Sequence, residues 1–243
     1  MNISLQRSTW MAALLCLLGT TACAERSPYS ATSPTRFSSA IAAFERRDES
    51  NPPAQDAVLF VGSSSIRMWA PHIAKDLHPI PVVARGFGGS NMHDVNFFFD
   101  RIISPYRPRA IVVYVGENDI AQGISPKQLL AEYESFVATV KSTLPDTRVY
   151  YLSIKPAPAR RGAWKTMSKA NQLIADYSSR DAALFFVDVA TPMLDASGGP
   201  RADIHIDDGI HMNRQGYKIW TDILKPVLLA NEIALTPSAG VTE

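Results

Sequence analysis

The segment VGSSSIRMW, Val61 to Trp69, sets three serines at the end of the apolar run Ala57 to Val61. A serine hydroxyl becomes a nucleophile when a base takes its proton and a carboxylate orients that base. It also needs donors already aimed at the oxyanion that develops. The sequence offers one of each. Asp208 and His211 stand three apart in DDGIHMN. On a turn leading into a helix, residues i and i+3 can lie side by side, so the carboxylate can bond one imidazole nitrogen and leave the other facing a pocket. Taken alone, the same acids equally suit a helix N-terminus with no catalytic task. Gly88 and Gly89, in GFGGSN, allow a backbone N–H to approach a ligand closely, and a plain tight turn uses the same residues. Asn118, in VGEND, carries a side-chain NH2 that can donate to an oxyanion or fold back in an Asx-turn.

Other chemistries have less support. His72, His78, His93 and His205 lack comparable company and read as surface or packing residues. His205, Asp207, Asp208 and His211 could suggest a metal cluster, but the hydrolytic reading needs no metal, and neither a metal nor a cofactor is expected. The glycine-rich segment has neither the GxxxxGK[ST] nor the GxGxxG spacing of nucleotide loops. The formal net charge is +1 and no block of like charges occurs. Nothing therefore favours nucleic acid or acidic lipid as a partner.

These residues must be positioned by regular elements, and the chain has a clear rhythm. Short apolar, β-branched runs at 57–62, 81–86, 110–116, 148–154 and 184–189 predict strands. Amphipathic stretches near 37–47, 66–76, 91–103, 126–143, 165–180 and 213–230 predict helices. Ser125-Pro126 supplies an N-cap and a proline at the first helical position, and Asn213 precedes the last helix in the same way. Near-continuous apolar strands alternating with helices argue for a parallel sheet covered on both faces. In such folds the site lies outside the carboxyl ends of the strands, where GSSS, GFGGSN and GENDIA follow the first three. With 243 residues, 46% of them hydrophobic, the chain can build one sizeable core and is expected to form one domain.

Both ends differ from this pattern. Residues 1–24 combine one early Arg7, an apolar stretch from Trp10 to Leu18, and small residues, which reads as an export signal. The stretch is shorter than the roughly 20 apolar residues a membrane-spanning helix needs. Two processing routes stay open: cleavage after Ala22-Cys23-Ala24, or lipidation of Cys23 as in bacterial lipoproteins. The expected location is periplasmic or secreted, with a membrane contact only through a lipid on Cys23. Cys16 and Cys23 are the two cysteines, so the mature chain can hold no internal disulfide. Residues 25–36 are rich in Ser, Thr and Pro and are expected to be a tether. The folded domain is expected over 37–232, with a tail at 233–243.

Taken together and in order, FVGSSSIRMW, RGFGGSN, VGEND and DGIHMNRQGYKIW resemble the conserved blocks of the SGNH/GDSL hydrolase superfamily. The resemblance runs from about Val58 to the last helix. It implies a three-layer α/β/α, flavodoxin-like fold with a five-stranded parallel sheet. It also implies Ser64 as nucleophile, His211 as base, Asp208 as its orienter, and an oxyanion hole from the N–H groups of Ser64 and Gly89 and the side chain of Asn118. Ser63 stands where the family usually has aspartate. Beyond alignment with the family's Gly-Asp-Ser triplet, nothing in the residues themselves chooses Ser64 over Ser65. Arg67 and Trp69, and Trp164 with Arg160 and Arg161, either line an acyl or leaving-group pocket or belong to helix surface and core. No long apolar lid is evident, which favours short acyl chains such as acetyl groups on carbohydrates or small alcohols. The expected function is an exported serine esterase acting through an acyl-enzyme. An O-acyltransferase, or an inactive carbohydrate-binding relative, is the alternative. A histidine base predicts activity rising through about pH 6–8.

Overall fold

Each of the five apolar runs forms a strand, trimmed by one to two residues: β1 (Val58–Gly62), β2 (Val82–Gly86), β3 (Ala110–Tyr114), β4 (Arg148–Leu152) and β5 (Leu184–Val187). The helices are α1 (Ser38–Ser50), α2 (Ser64–Asp76), α3 (Met92–Phe97), α4 (Phe99–Ile102), α5 (Glu117–Ala121), α6 (Pro126–Thr143), α7 (Trp164–Ser178) and α8 (Arg214–Leu228). This computed structural model describes Tyr29 and residues 33–233. The expected export signal with Cys23, and the tail from residue 234 onward, lie outside the described residues. Among the described residues no helix is long and apolar enough to cross a membrane.

The sheet is parallel throughout, in the order β2-β1-β3-β4-β5. Alternation along the strands sorts side chains between two cores. Leu59, Val61, Ile111, Val113, Val149 and Tyr151 pack with α1, α3, α4, α6 and α7. Val58, Phe60, Val112, Tyr114, Tyr150 and Leu152 pack with α2 and α8. This is the expected three-layer α/β/α arrangement, with both sheet faces buried. Because the order reverses beside β1, the connections after β1 and β3 leave to opposite faces and open a crevice at their carboxyl ends.

The helices carry the signals read from the sequence. Ser125 caps α6 in a reciprocal box with Gln128, with Pro126 behind it. Asn213 caps α8 by accepting from the Gln215 and Gly216 N–H groups. The predicted helix over 91–103 is split at Phe98, where α3 and α4 meet. Beneath α2 and α8, Trp69 packs edge-on against Phe60 and Trp220 and stacks on Tyr217.

One boundary is corrected. The tether expected over 25–36 is partly packed. Tyr29 is buried, its hydroxyl donates to Asp119 Oδ1 at 2.8 Å, and its ring stacks on His93. Pro34–Phe37 form a 3-10 turn, from which Arg36 pairs with Asp94 at 2.8 Å. Composition reports the polar majority of this segment and misses its one aromatic anchor. At the other end, α8 continues through a π-helical turn, Leu229–Ile233, that carries a buried Glu232. Glu232 receives both arms of Arg148, at 2.7 and 2.6 Å, and the Tyr150 hydroxyl at 2.5 Å. Arg148→Met strips the main counter-charge from that carboxylate. It is expected to cost about 2–3 kcal/mol in urea denaturation, below the roughly 3–5 kcal/mol of a fully buried pair because Arg148 is partly exposed.

Candidate active site

The site begins where β1 ends. Gly62 has φ +134°, and a Cβ there would lie 2.0 Å from the Tyr114 carbonyl oxygen, so only glycine fits so close to β3. The Ser63 N–H then donates to that same carbonyl at 3.0 Å, and α2 starts at the next residue. This abrupt strand-to-helix turn separates the three serines. Ser63 and Ser65 are buried, at 3% and 2% exposure, while Ser64 faces the crevice with its Oγ 2.7 Å from His211 Nε2. The choice that the residues alone left open is thus made by backbone direction. Ser64 is also the first residue of a 13-residue helix, so its N–H has no intrahelical acceptor and sits at the positive end of the helix dipole.

The opposite nitrogen of His211, Nδ1, lies 2.5 Å from Asp208 Oδ2. The other carboxylate oxygen, Oδ1, accepts from the Ile210 and His211 N–H groups, both at 2.8 Å. Desolvation pushes the Asp208 carboxyl up, but the His211 side chain and these two backbone donors outweigh it and hold it down at about 2. Asp208 does not cap α8, a task that falls to Asn213. Its bonds fix the imidazole plane instead.

Asn118 does not form the Asx-turn its type allows. It lies in the first turn of α5, a short helix in a stretch for which the sequence predicts no element. Its Nδ2 donates to the Ser90 carbonyl at 3.0 Å, and its Oδ1 accepts from Arg160 at 3.1 Å. Both bonds demand the same amide orientation, which leaves one N–H of Nδ2 for a ligand. Gly89, at φ +84° and with open space around it, lines the same crevice. The loops carrying Gly89 and Asn118 are tied by Asp119, which accepts from the N–H groups of Met92 and Gly116, both at 2.9 Å, and from Tyr29. Burial raises the Asp119 carboxyl to about 6, against the pull of these donors.

Ser64, Arg67, Gly89, Asn118, Arg160 and His211 therefore converge on one open cleft of about 500 Å³. Two residues considered for this pocket are elsewhere. Trp69 is fully buried in the aromatic cluster, with its indole N–H on Asp76 at 2.8 Å. Trp164 packs against the core at the start of α7. Both follow from helical phase, because an aromatic on the apolar face of a helix faces the sheet.

Sequence reasoning missed a buried charge cluster. Lys155 is fully buried; its Nζ donates to Glu117 Oε2 at 3.0 Å and to the Ile210 carbonyl at 2.5 Å. Glu117 also accepts from the Tyr114 hydroxyl at 2.9 Å and lies 3.3 Å from Arg160. A lysine directly after an apolar strand, in LSIKP, was the available signal. This cluster ties the His211 loop to the end of β3 and to α5, which carries Asn118. Lys155→Met is expected to cost about 3–5 kcal/mol, since it leaves a buried carboxylate undercompensated. Denaturation of Glu117→Gln, Lys155→Met and the double variant should show a coupling above about 1 kcal/mol.

The sequence profile of the GDSL-like Lipase/Acylhydrolase family matches residues 54–219, a span that includes every residue of the cleft. A search of curated proteins finds no match. Among solved structures, the chain is similar to a protein from Streptococcus pneumonia at 21% identity and TM-score 0.69, covering 79% of this chain and 93% of that one. It is similar to a GDSL-like lipase from Bacteroides thetaiotaomicron at 20% identity and TM-score 0.64, covering 82% and 98%. It also superposes on a catalytic mutant of an acetylxylan esterase from Geobacillus stearothermophilus at 14% identity and TM-score 0.56, covering 73% and 94%. With fold, strand-end site and family profile in agreement, the chain belongs to the GDSL-like lipase/acylhydrolase family.

Proposed function

We propose that the protein is an exported serine esterase that hydrolyses short-chain carboxylic esters, acetyl groups on carbohydrates among them, through an acyl-enzyme. The observation that carries this reading is the unbroken relay from Ser64 Oγ through His211 to Asp208, at 2.7 and 2.5 Å, beside a free Asn118 N–H. In the first step His211 Nε2 takes the Ser64 proton as Oγ attacks the ester carbonyl. The N–H groups of Ser64 and Gly89 and the Asn118 side chain receive the oxyanion. The tetrahedral intermediate expels the alcohol, which takes its proton from His211, and an acyl-Ser64 ester remains. Water then attacks with His211 again as base, releasing the acid and restoring Ser64. Asp208 keeps the imidazole in the required tautomer throughout.

A short acyl group suits the cleft because, among the described residues, Ile210 is the one large apolar side chain along it. The acetylxylan esterase among the structural neighbours makes carbohydrate acetates the first substrates to try. The export signal over residues 1–24 would place the enzyme in the periplasm or outside the cell, released or anchored through Cys23.

Hydrolysis of 4-nitrophenyl acetate and of acetylated xylo-oligosaccharides tests the reading. Ser64→Ala should lower kcat/KM by about 10⁴-fold or more, whereas Ser65→Ala keeps most of the wild-type turnover. Asn118→Ala should lose about 10²–10³-fold in kcat. Turnover that survives Ser64→Ala overturns the assignment. The pH profile adds a further test. A carboxyl depressed in the folded state stays ionised as pH falls from 7 until it nears its folded value, here about 2. Asp208 therefore keeps its orienting charge across the working range. The acid limb of log kcat/KM should then carry at most two ionisations, the base and the Asp119 carboxyl raised to about 6, and a slope above two between pH 4 and 7 contradicts this.

A further inference from the structure

Most arginines near carboxylates in this structure use them. Arg36, Arg85, Arg101, Arg109, Arg148, Arg160, Arg201 and Arg214 each pair with an Asp or Glu within 3.3 Å. Arg67 lines the cleft and has no carboxylate partner among the described residues. It lies three residues after Ser64 on α2, so both side chains share one helix face. Its guanidinium rests over Gly88, where a Cβ would come 3.0 Å from its Nε. The absence of a side chain at Gly88 thus leaves Arg67 beside the oxyanion loop. Behind it, Lys155 and Arg160 share a single carboxylate, Glu117. Two cations against one anion leave that cluster with one net positive charge. Asp208, which bonds the histidine of the cleft, is committed to His211.

We infer that this cleft takes esters bearing a carboxylate, and that Arg67 is the side chain that pairs with it. The inference rests on the esterase reading and narrows its substrate class. A guanidinium presents a planar fork of donors that matches a carboxylate bidentately. A cleft with excess positive charge draws an anionic substrate toward it. Apolar contact is scarce here, so charge pairing supplies binding energy that a greasy acyl pocket would otherwise give.

The test uses two near-isosteric ester pairs that differ in one charge. In 3-acetoxybenzoate against 3-acetoxybenzamide the charge is in the alcohol part. In monophenyl succinate against phenyl succinamate it is in the acyl part. The wild type should favour the anionic member of at least one pair by about 5- to 10-fold in kcat/KM at low salt, and by less as NaCl is raised. The pair that responds locates the carboxylate on the alcohol or the acyl side. Arg67→Gln should bring that ratio close to unity, Arg67→Lys should keep part of it, and Arg67→Glu should invert it. Arg180→Gln, an exposed change at the opposite end of the sheet, should leave it as in the wild type. A ratio near unity in the wild type, or one that Arg67→Gln does not change, overturns the inference. Calorimetry on the Ser64→Ala protein separates this from failure of the esterase reading. Tighter binding of 3-acetoxybenzoate or monophenyl succinate that Arg67→Gln abolishes supports the subsite even where no ester is turned over. Equal binding of charged and neutral members rejects it.

Discussion

The close approach of β1 to β3 at Gly62 is the constraint on which the site depends. At φ +134° and with a would-be Cβ 2.0 Å from the Tyr114 oxygen, this position admits no side chain. Because it admits none, a fully buried strand can turn into a helix within one residue. That turn decides which of three adjacent hydroxyls is presented. Ser63 is spent on the bend, Ser65 is pressed into the core under Tyr217, whose hydroxyl donates to the Ser65 carbonyl at 2.9 Å, and Ser64 is left at the helix N-terminus facing His211. The same geometry leaves the Ser64 N–H without an intrahelical acceptor where α2 meets the cleft. On the proposed reading, one backbone constraint therefore supplies both the nucleophile and one of the donors to its oxyanion.

The remaining parts of the site come from loops, and loops need anchoring if they are to hold a 2.7 Å hydrogen bond across the cleft. Two buried carboxylates supply it. Asp119 gathers donors from the loops after β2 and β3 and from Tyr29. Glu117, with Lys155, connects Tyr114 to the carbonyl of Ile210, the residue before His211. Arg160 extends this cluster to the Asn118 amide. Burying such charges is costly unless every partner is in place, so the network tolerates one arrangement of the loops. The asparagine beside these carboxylates then keeps a fixed amide orientation before any substrate arrives.

Most of this architecture was legible in the sequence because strand alternation and helix caps are local signals. The runs at 57–62, 81–86, 110–116, 148–154 and 184–189 all became strands, and Ser125-Pro126 began a helix where its chemistry required. Asp208, His211, Gly89 and Asn118 were singled out by residue type and position, and Ser64 only through the resemblance to the family's triplet; the structure brings the five together at one cleft. What the sequence hid was long-range. Lys155 and Glu117 are 38 residues apart in sequence, and nothing local marks them as partners. Tyr29 stands among serines, threonines and prolines, and its value lies in the distant Asp119 and His93 it reaches. Trp69 and Trp164 were ambiguous because an aromatic residue near a nucleophile suits a pocket or a core equally well; only the phase of α2 and α7 against the sheet separates the two.

The central claim is that the Ser64 hydroxyl forms a covalent acyl intermediate with His211 as its base. The most direct measurement is to mix the protein with 4-nitrophenyl acetate, quench in acid within the first turnovers, and locate the modification by peptide mass spectrometry. The account predicts an acetyl group on Ser64 in wild-type protein, accumulating further in a variant slowed at the deacylation step. Acetylation confined to Ser65 or to surface lysines, or turnover with no acetyl group on any serine, would contradict it.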